Sequence, residues 1–141
     1  LASADAANNM NFFFLYSDPS GAPLLESKRT RADGNYPRYH ELNGYIFTNV
    51  AGGDDAPARF RFRDCPGFNL VAESRQYENK QRKIYHIAIE KRGNRFTYSV
   101  DGQVVLEVTD EKFHAPHDEG LMGFRTWHTE LWWDNFVVTR L

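Results

Sequence analysis

The sequence predicts an all-β chain folded as an antiparallel β-sandwich of the jelly-roll kind. Three observations carry that expectation. Apolar residues alternate with period two, and no stretch of useful length keeps a helical period. Turn signals separate the alternating runs, and Asp101-Gly102 is the sharpest of them. The 141 residues are 41% hydrophobic and 15% aromatic, which suits one packed domain over residues 1–141. About nine strands at these spacings fit a sandwich.

The elements follow in order. Asn9 to Ser17 (NMNFFFLYS) reads as a strand closed by the turn Asp18-Pro19-Ser20-Gly21. Residues 22 to 37, with Pro23, Gly34, Pro37 and five charges, read as a long loop lying over a sheet. Tyr39 to Val50 reads as a long strand ending at Gly52-Gly53-Asp54-Asp55. Ala58 to Arg63 sets Phe60 and Phe62 on one face and Arg59, Arg61 and Arg63 on the other. Cys65-Pro66-Gly67 interrupts before a short strand, Phe68 to Ala72. Lys83 to Lys91 alternates Ile84, His86, Ala88 and Glu90 against Tyr85, Ile87 and Ile89. Arg92-Gly93-Asn94 turns into Arg95 to Val100, and Asp101-Gly102 turns into Gln103 to Thr109. After the loop Asp110 to Glu119 come strands Gly120 to Trp127 and Trp132 to Leu141.

Composition excludes several classes. Lys plus Arg is 17 against 19 Asp plus Glu, a net charge of -2, which argues against a nucleic-acid partner. The same balance offers little to an anionic membrane, and the longest apolar run, Phe12 to Tyr16, falls far short of a span. One cysteine, Cys65, rules out an internal disulfide framework. No leader pattern is legible from Leu1 onward and no Asn-x-Ser/Thr sequon occurs, so compartment and oligomeric state stay open. Gly52-Gly53 precedes acids rather than Lys-Ser/Thr and makes no phosphate loop.

The C-terminal half carries a family pattern. FTYSVDGQVVLEVTD followed by GLMGFRTWHTELWWDNFVVTRL resembles the closing strands of a concanavalin A-like lectin/glucanase sandwich. Within that superfamily, NNMNFFFLYSDPSG, RYHELNGYIFTNV, CPGFNLVAE and GFRTWHTELWWDNFVVTRL resemble the bacterial YesU-type family, linked by association to pectin and rhamnogalacturonan utilisation. The resemblance runs from Asn9 to Leu141. It implies a concave sheet forming a groove, an oligo- or polysaccharide partner and no cofactor. It also implies strands upstream of Asn9, so the chain is expected to be the C-terminal part of a longer one.

Two chemistries on a uronic-acid-containing glycan follow. Sandwich glucanases place paired carboxylates on one strand, roughly 5 Å apart for retention. No Glu-x-Asp-x-Glu triplet occurs, leaving Glu41 with a cross-strand acid for hydrolysis. Elimination needs a base beside a sugar carboxylate and a cation to neutralise it. Arg38-Tyr39-His40-Glu41-Leu42-Asn43 supplies His40 or Tyr39 as base, with Glu41 and Asn43 on the more polar face of a regular strand. An ordinary buried Tyr39–His40 pair is the alternative.

Arg125 and Trp127 share a strand face, with His128 after them, and suit a charged sugar by ion pairing and stacking. Trp127 as core with Arg125 capping it is the competing reading. Trp132 and Trp133 alternate, so one is expected inside and Trp132 is a candidate platform. Arg61, in the Arg59-Arg61-Arg63 stripe, either binds a carboxylate or pairs with Glu73 or Asp64. Asn11, among Phe12 to Phe14, either orients a ligand or ties down a loop. His114-x-x-His117-Asp118 has ligand-type residues, but Pro116 intervenes and no third anchor is visible, so no metal site is assigned. The functional expectation is lyase or hydrolase chemistry on such a polysaccharide. A non-catalytic carbohydrate-binding module and a structural or interaction domain are the alternatives.

Overall fold

Alternation sorts the chain into two antiparallel sheets. The computed structural model describes residues 9–27, 31–52, 57–76, 80, 82–127 and 129–141. Its strands are β1 (Asn9–Ser17), β2 (Asn43–Val50), β3 (Arg59–Cys65), β4 (Asn69–Ser74), β5 (Ile87–Arg92), β6 (Arg95–Val100), β7 (Gln103–Thr109) and β8 (Leu121–Trp127). One sheet has five strands in the order β4-β3-β2-β1-β8, and the other has three in the order β5-β6-β7. This is an antiparallel β-sandwich of the jelly-roll class. Among the described residues no helix is long and apolar enough to cross a membrane.

The core lies between the sheets and is mainly aromatic. Phe12, Tyr45, Phe47, Phe60 and Phe62 from the larger sheet meet Phe96, Tyr98 and Val100 from the smaller. Phe62 is fully buried, with ring centroids 4.8 Å from Phe47 and 4.6 Å from Phe96. Rings at these separations add edge and offset contacts to the burial of their area. The period-two reading of Phe60 and Phe62 against the three arginines therefore holds, as does that of Tyr85, Ile87 and Ile89 against their exposed neighbours.

Leu15 interrupts β1. It takes φ +57°, and the register shifts between Phe14 and Ser17 on one side and between Phe13 and Tyr16 on the other. Two glycines crowd this bulge: a Cβ on Gly44 would lie 2.5 Å from the Tyr16 ring, and one on Gly120 would lie 2.3 Å from the Leu15 carbonyl carbon.

Three expected elements differ. Tyr36–Glu41 forms a 3-10 helix where a strand was expected from Tyr39. Pro37 lies in its first turn, where its fixed φ suits a helical start and its missing N–H costs nothing. The next strand runs only from Ile87, since residues 83–86 lack a ladder partner despite their alternation. Trp132 to Leu141 forms no strand: Val137 and Val138 are exposed, and Trp132 and Trp133 are both open to solvent. Apolar alternation makes a strand only where an open edge can pair with it.

Candidate functional site

The outward face of the five-stranded sheet carries a polar row. The register places Glu73, Arg61, Thr48, Asn11 and Arg125 side by side across β4, β3, β2, β1 and β8. One step along lie Arg63, Ile46, Phe13 and Gly123, and one step the other way Arg59, Val50, Asn9 and Trp127. Period two dictates this, because all these positions oppose the core-facing Phe60, Phe62, Phe47 and Phe12.

The 3-10 helix lays its aromatic side over that row. With three residues per turn, Tyr36, Tyr39 and Leu42 share a side. Tyr39 stacks on Phe13 at 5.3 Å between ring centroids, and Tyr36 approaches the same ring at 6.4 Å. The Tyr36 hydroxyl donates to Asn11 Oδ1 (3.0 Å), which also accepts from Thr48 Oγ1 (2.9 Å). Asn11 Nδ2 donates to Asn9 Oδ1 (2.8 Å). Asn11 is fully buried, so it positions Tyr36.

The result is a ladder of rings capped by a guanidinium at each end. Arg125 Cζ lies 4.5 Å from the Tyr36 ring centroid. Tyr36 meets His40 edge-on at 4.5 Å, and His40 stacks on Phe68 at 3.7 Å. Arg63 Cζ covers Phe68 at 4.2 Å. The Gly67 amide donates to the His40 carbonyl (2.8 Å), which fastens the 3-10 helix to the turn carrying Phe68. Neither Arg63 nor Arg125 has an ion pair with a carboxylate among the described residues. Arg61, by contrast, is paired with Glu73 at 2.7 Å, and Glu73 also holds Arg75.

The ladder sets the charge state of His40. Burial, then Arg63 and Arg125, push its pKa down from 6.5 to about 4. Its ring is therefore neutral at neutral pH, and its buried Nε2 has no hydrogen-bond partner among the described residues. Burial also raises the Tyr36 phenol, against the pull of Thr48, Arg63 and Arg125.

The structure thus brings Asn11, His40, Arg61, Arg125 and Trp127 to one face, with Tyr39 at its margin. Trp127 is about half exposed at the end of the edge strand. Glu41 is exposed at the end of the 3-10 helix. Asn43 opens β2 and donates to Ser17 Oγ (3.3 Å). Trp132 is exposed in the C-terminal segment, off the row. His128 lies outside the described residues. The regular strand expected from Tyr39, whose period of two would put Tyr39 and His40 on opposite faces, is replaced by the 3-10 helix, and both rings pack against the one sheet. Sequence reasoning missed Tyr36 and Phe68 as partners. Their signal was an aromatic residue inside a turn, which has to find a surface to cover.

A pocket of about 430 Å³ adjoins the row, lined by Phe13, Tyr16, Leu24, Tyr39 and Gly123 among others. It is mainly apolar, and the cation in its lining, Arg31, is hydrogen-bonded to the Leu24 carbonyl and Ser27 Oγ, whereas Arg63 and Arg125 lie on the ladder. A hydroxyl-rich ligand needs the latter.

A family model described as Domain of unknown function (DUF6250) matches residues 2–136. No curated protein matches the chain. The chain is similar to a solved structure described as a protein of unknown function with galectin-like fold from Bacillus subtilis. The two share 21% identity and a TM-score of 0.74, over 91% of this chain and 63% of that one. It is also similar to the carbohydrate binding module CBM66 from Bacillus subtilis, at 19% identity and a TM-score of 0.55, over 92% of this chain and 63% of that one. The chain spans 63% of the length of each. At these identities the likeness carries the fold, a sandwich of the concanavalin A-like type. Neither finding names the YesU-type family or pectin. The match over most of the sequence decides the family: the chain belongs to that of the domain of unknown function DUF6250.

Proposed function

We propose that this chain is a carbohydrate-binding module for acidic glycans, with the ring ladder as its binding face. The observation that carries the reading is the half-buried guanidinium of Arg125 over Tyr36, without a carboxylate partner among the described residues, with the buried Arg63 at the Phe68 end of the same ladder. A guanidinium takes a sugar carboxylate in two parallel hydrogen bonds, and an aromatic plane takes the apolar face of the ring. Trp127 extends the platform along β8, and Arg61 adds a cation already shared with Glu73. The name of the similar module from Bacillus subtilis supports a carbohydrate ligand, and the YesU-type resemblance suggests pectic uronates.

Binding is favoured over the lyase or hydrolase chemistry expected first. A general base works best with a pKa near the working pH, and that of His40 is held at about 4. Elimination with Tyr39 or His40 remains the second reading, because both lie on the face that holds Arg125. Affinity electrophoresis on pectic and neutral glycans, with ultraviolet absorbance followed in parallel, separates the two. Retardation by the acidic glycan without a rise in absorbance is the expected result. A rise in absorbance that His40→Ala abolishes would move the assignment to elimination. No retardation by any acidic glycan would refute the binding face.

A further inference from the structure

We propose that Asp64, His114 and His117, with the Cys65 carbonyl, form a site for a divalent transition metal of the zinc class. Asp64 is fully buried on the core side of β3, opposite to the face that carries the ladder. The loop between β7 and β8 brings two imidazoles to its carboxylate. His114 Nδ1 lies 2.6 Å from Oδ2, and His117 Nε2 lies 3.0 Å from Oδ1. His117 Nε2 is also 3.0 Å from the Cys65 carbonyl oxygen. The three side-chain ligand atoms lie within 4.8 Å of one another. Two imidazoles and a carboxylate are a recurrent zinc set, with bonds of about 2.0–2.2 Å. Tetrahedral ligands then stand roughly 3.3 Å apart, so the hydrogen-bonded atoms part by less than about 1 Å and the widest pair closes by at most about 1.5 Å to admit an ion.

Two further features point to a cation. The Tyr45 hydroxyl accepts from the His117 amide at 3.0 Å, which holds that ring in place before any ion binds. Asp110 is 2% exposed. Its buried Oδ1 has no hydrogen-bond partner among the described residues, and it lies within electrostatic range of Asp64, His114 and His117. A fully buried Asp64 carboxylate calls for positive charge beside it, and a divalent ion supplies it. The His-x-x-His spacing was visible in the sequence; the third anchor, Asp64, is some fifty residues away in the chain and only the fold delivers it. A bound ion would pin the β7–β8 loop to the end of the sandwich, independently of the sugar face.

The test uses the full chain, stripped by chelator and titrated with zinc chloride alone in a calorimeter. One equivalent should bind with Kd of about 1 μM or tighter, and zinc should raise the melting temperature. Cobalt chloride should give the intense visible bands of four-coordinate cobalt(II). His114→Gln changes a partly exposed ring; it should weaken zinc binding at least about 100-fold and abolish the thermal shift, with an unchanged circular dichroism spectrum. No saturable zinc binding by the stripped chain would overturn the proposal. So would equal zinc binding by folded His114→Gln and His117→Gln, or a weak six-coordinate cobalt spectrum.

Discussion

Acidification should loosen the fold through His40. Folding places this ring between Tyr36 and Phe68, near Arg63 and Arg125, and lowers its pKa from 6.5 to about 4. Below 6.5 the unfolded chain binds a proton that the folded chain refuses, so stability rises with pH across this window. The contribution is complete above 6.5 and is lost as pH falls toward about 4. At about pH 5 the loss is about 2 kcal/mol from the proton affinities, and partial exposure of the ring reduces it to about 1–2 kcal/mol. Asp18, Glu73 and Asp118 have lowered pKa values and lose stability in the same direction at more acid pH, while Asp110, raised by burial, acts oppositely. His40→Phe keeps a flat ring against Phe68 and removes only the titration. Urea unfolding at about pH 7 and about pH 5 should show wild type losing about 1–2 kcal/mol more than His40→Phe. Equal losses in both proteins would refute the argument.

Further outcomes are expected from the same contacts. Phe62→Ala empties the centre of the aromatic core and should cost about 3–5 kcal/mol by denaturant unfolding; a cost below about 1 kcal/mol would contradict the packing described. Gly120→Ala puts a Cβ against the Leu15 backbone at φ +146° and should cost about 2 kcal/mol or more. Gly123→Ala, in β8 with open space at its Cβ, should stay within about 0.5 kcal/mol, and matched melting curves for the two would sink the bulge argument. Asn11→Ala leaves the Tyr36 and Thr48 hydroxyls without their shared acceptor and should cost about 1–3 kcal/mol, with Thr48→Val adding little on top in a double-mutant cycle.

What the sequence revealed was what depends on local period. Phe60 and Phe62 against Arg59, Arg61 and Arg63 declare which face is core, and Asp101-Gly102 declares its hairpin, because both signals lie within a few residues. The site depends on pairing across strands, which period alone does not encode. Arg125, Asn11 and Arg61 meet only because β8, β1, β2 and β3 lie side by side in one register. The 3-10 helix was hidden because Tyr-His-Glu-Leu-Asn alternates as a strand does, while Pro37 ahead of it favours a helical start. The C-terminal run shows the converse: Trp132 to Leu141 has strand-like residues, yet Phe136 packs against Phe12 and Phe124 without joining a ladder.

The central claim is that guanidiniums with no carboxylate partner among the described residues, held on an aromatic ladder, select an acidic sugar. Isothermal titration with a galacturonic-acid oligomer and with its methyl ester tests it most directly, because esterification removes the carboxylate charge and adds only a methyl group to each sugar. The account predicts saturable binding of the free acid, weakened about tenfold or more by Arg125→Ala, and little or no binding of the ester. Equal affinity for both forms, or an affinity that Arg125→Ala and Arg63→Ala leave unchanged, would contradict it.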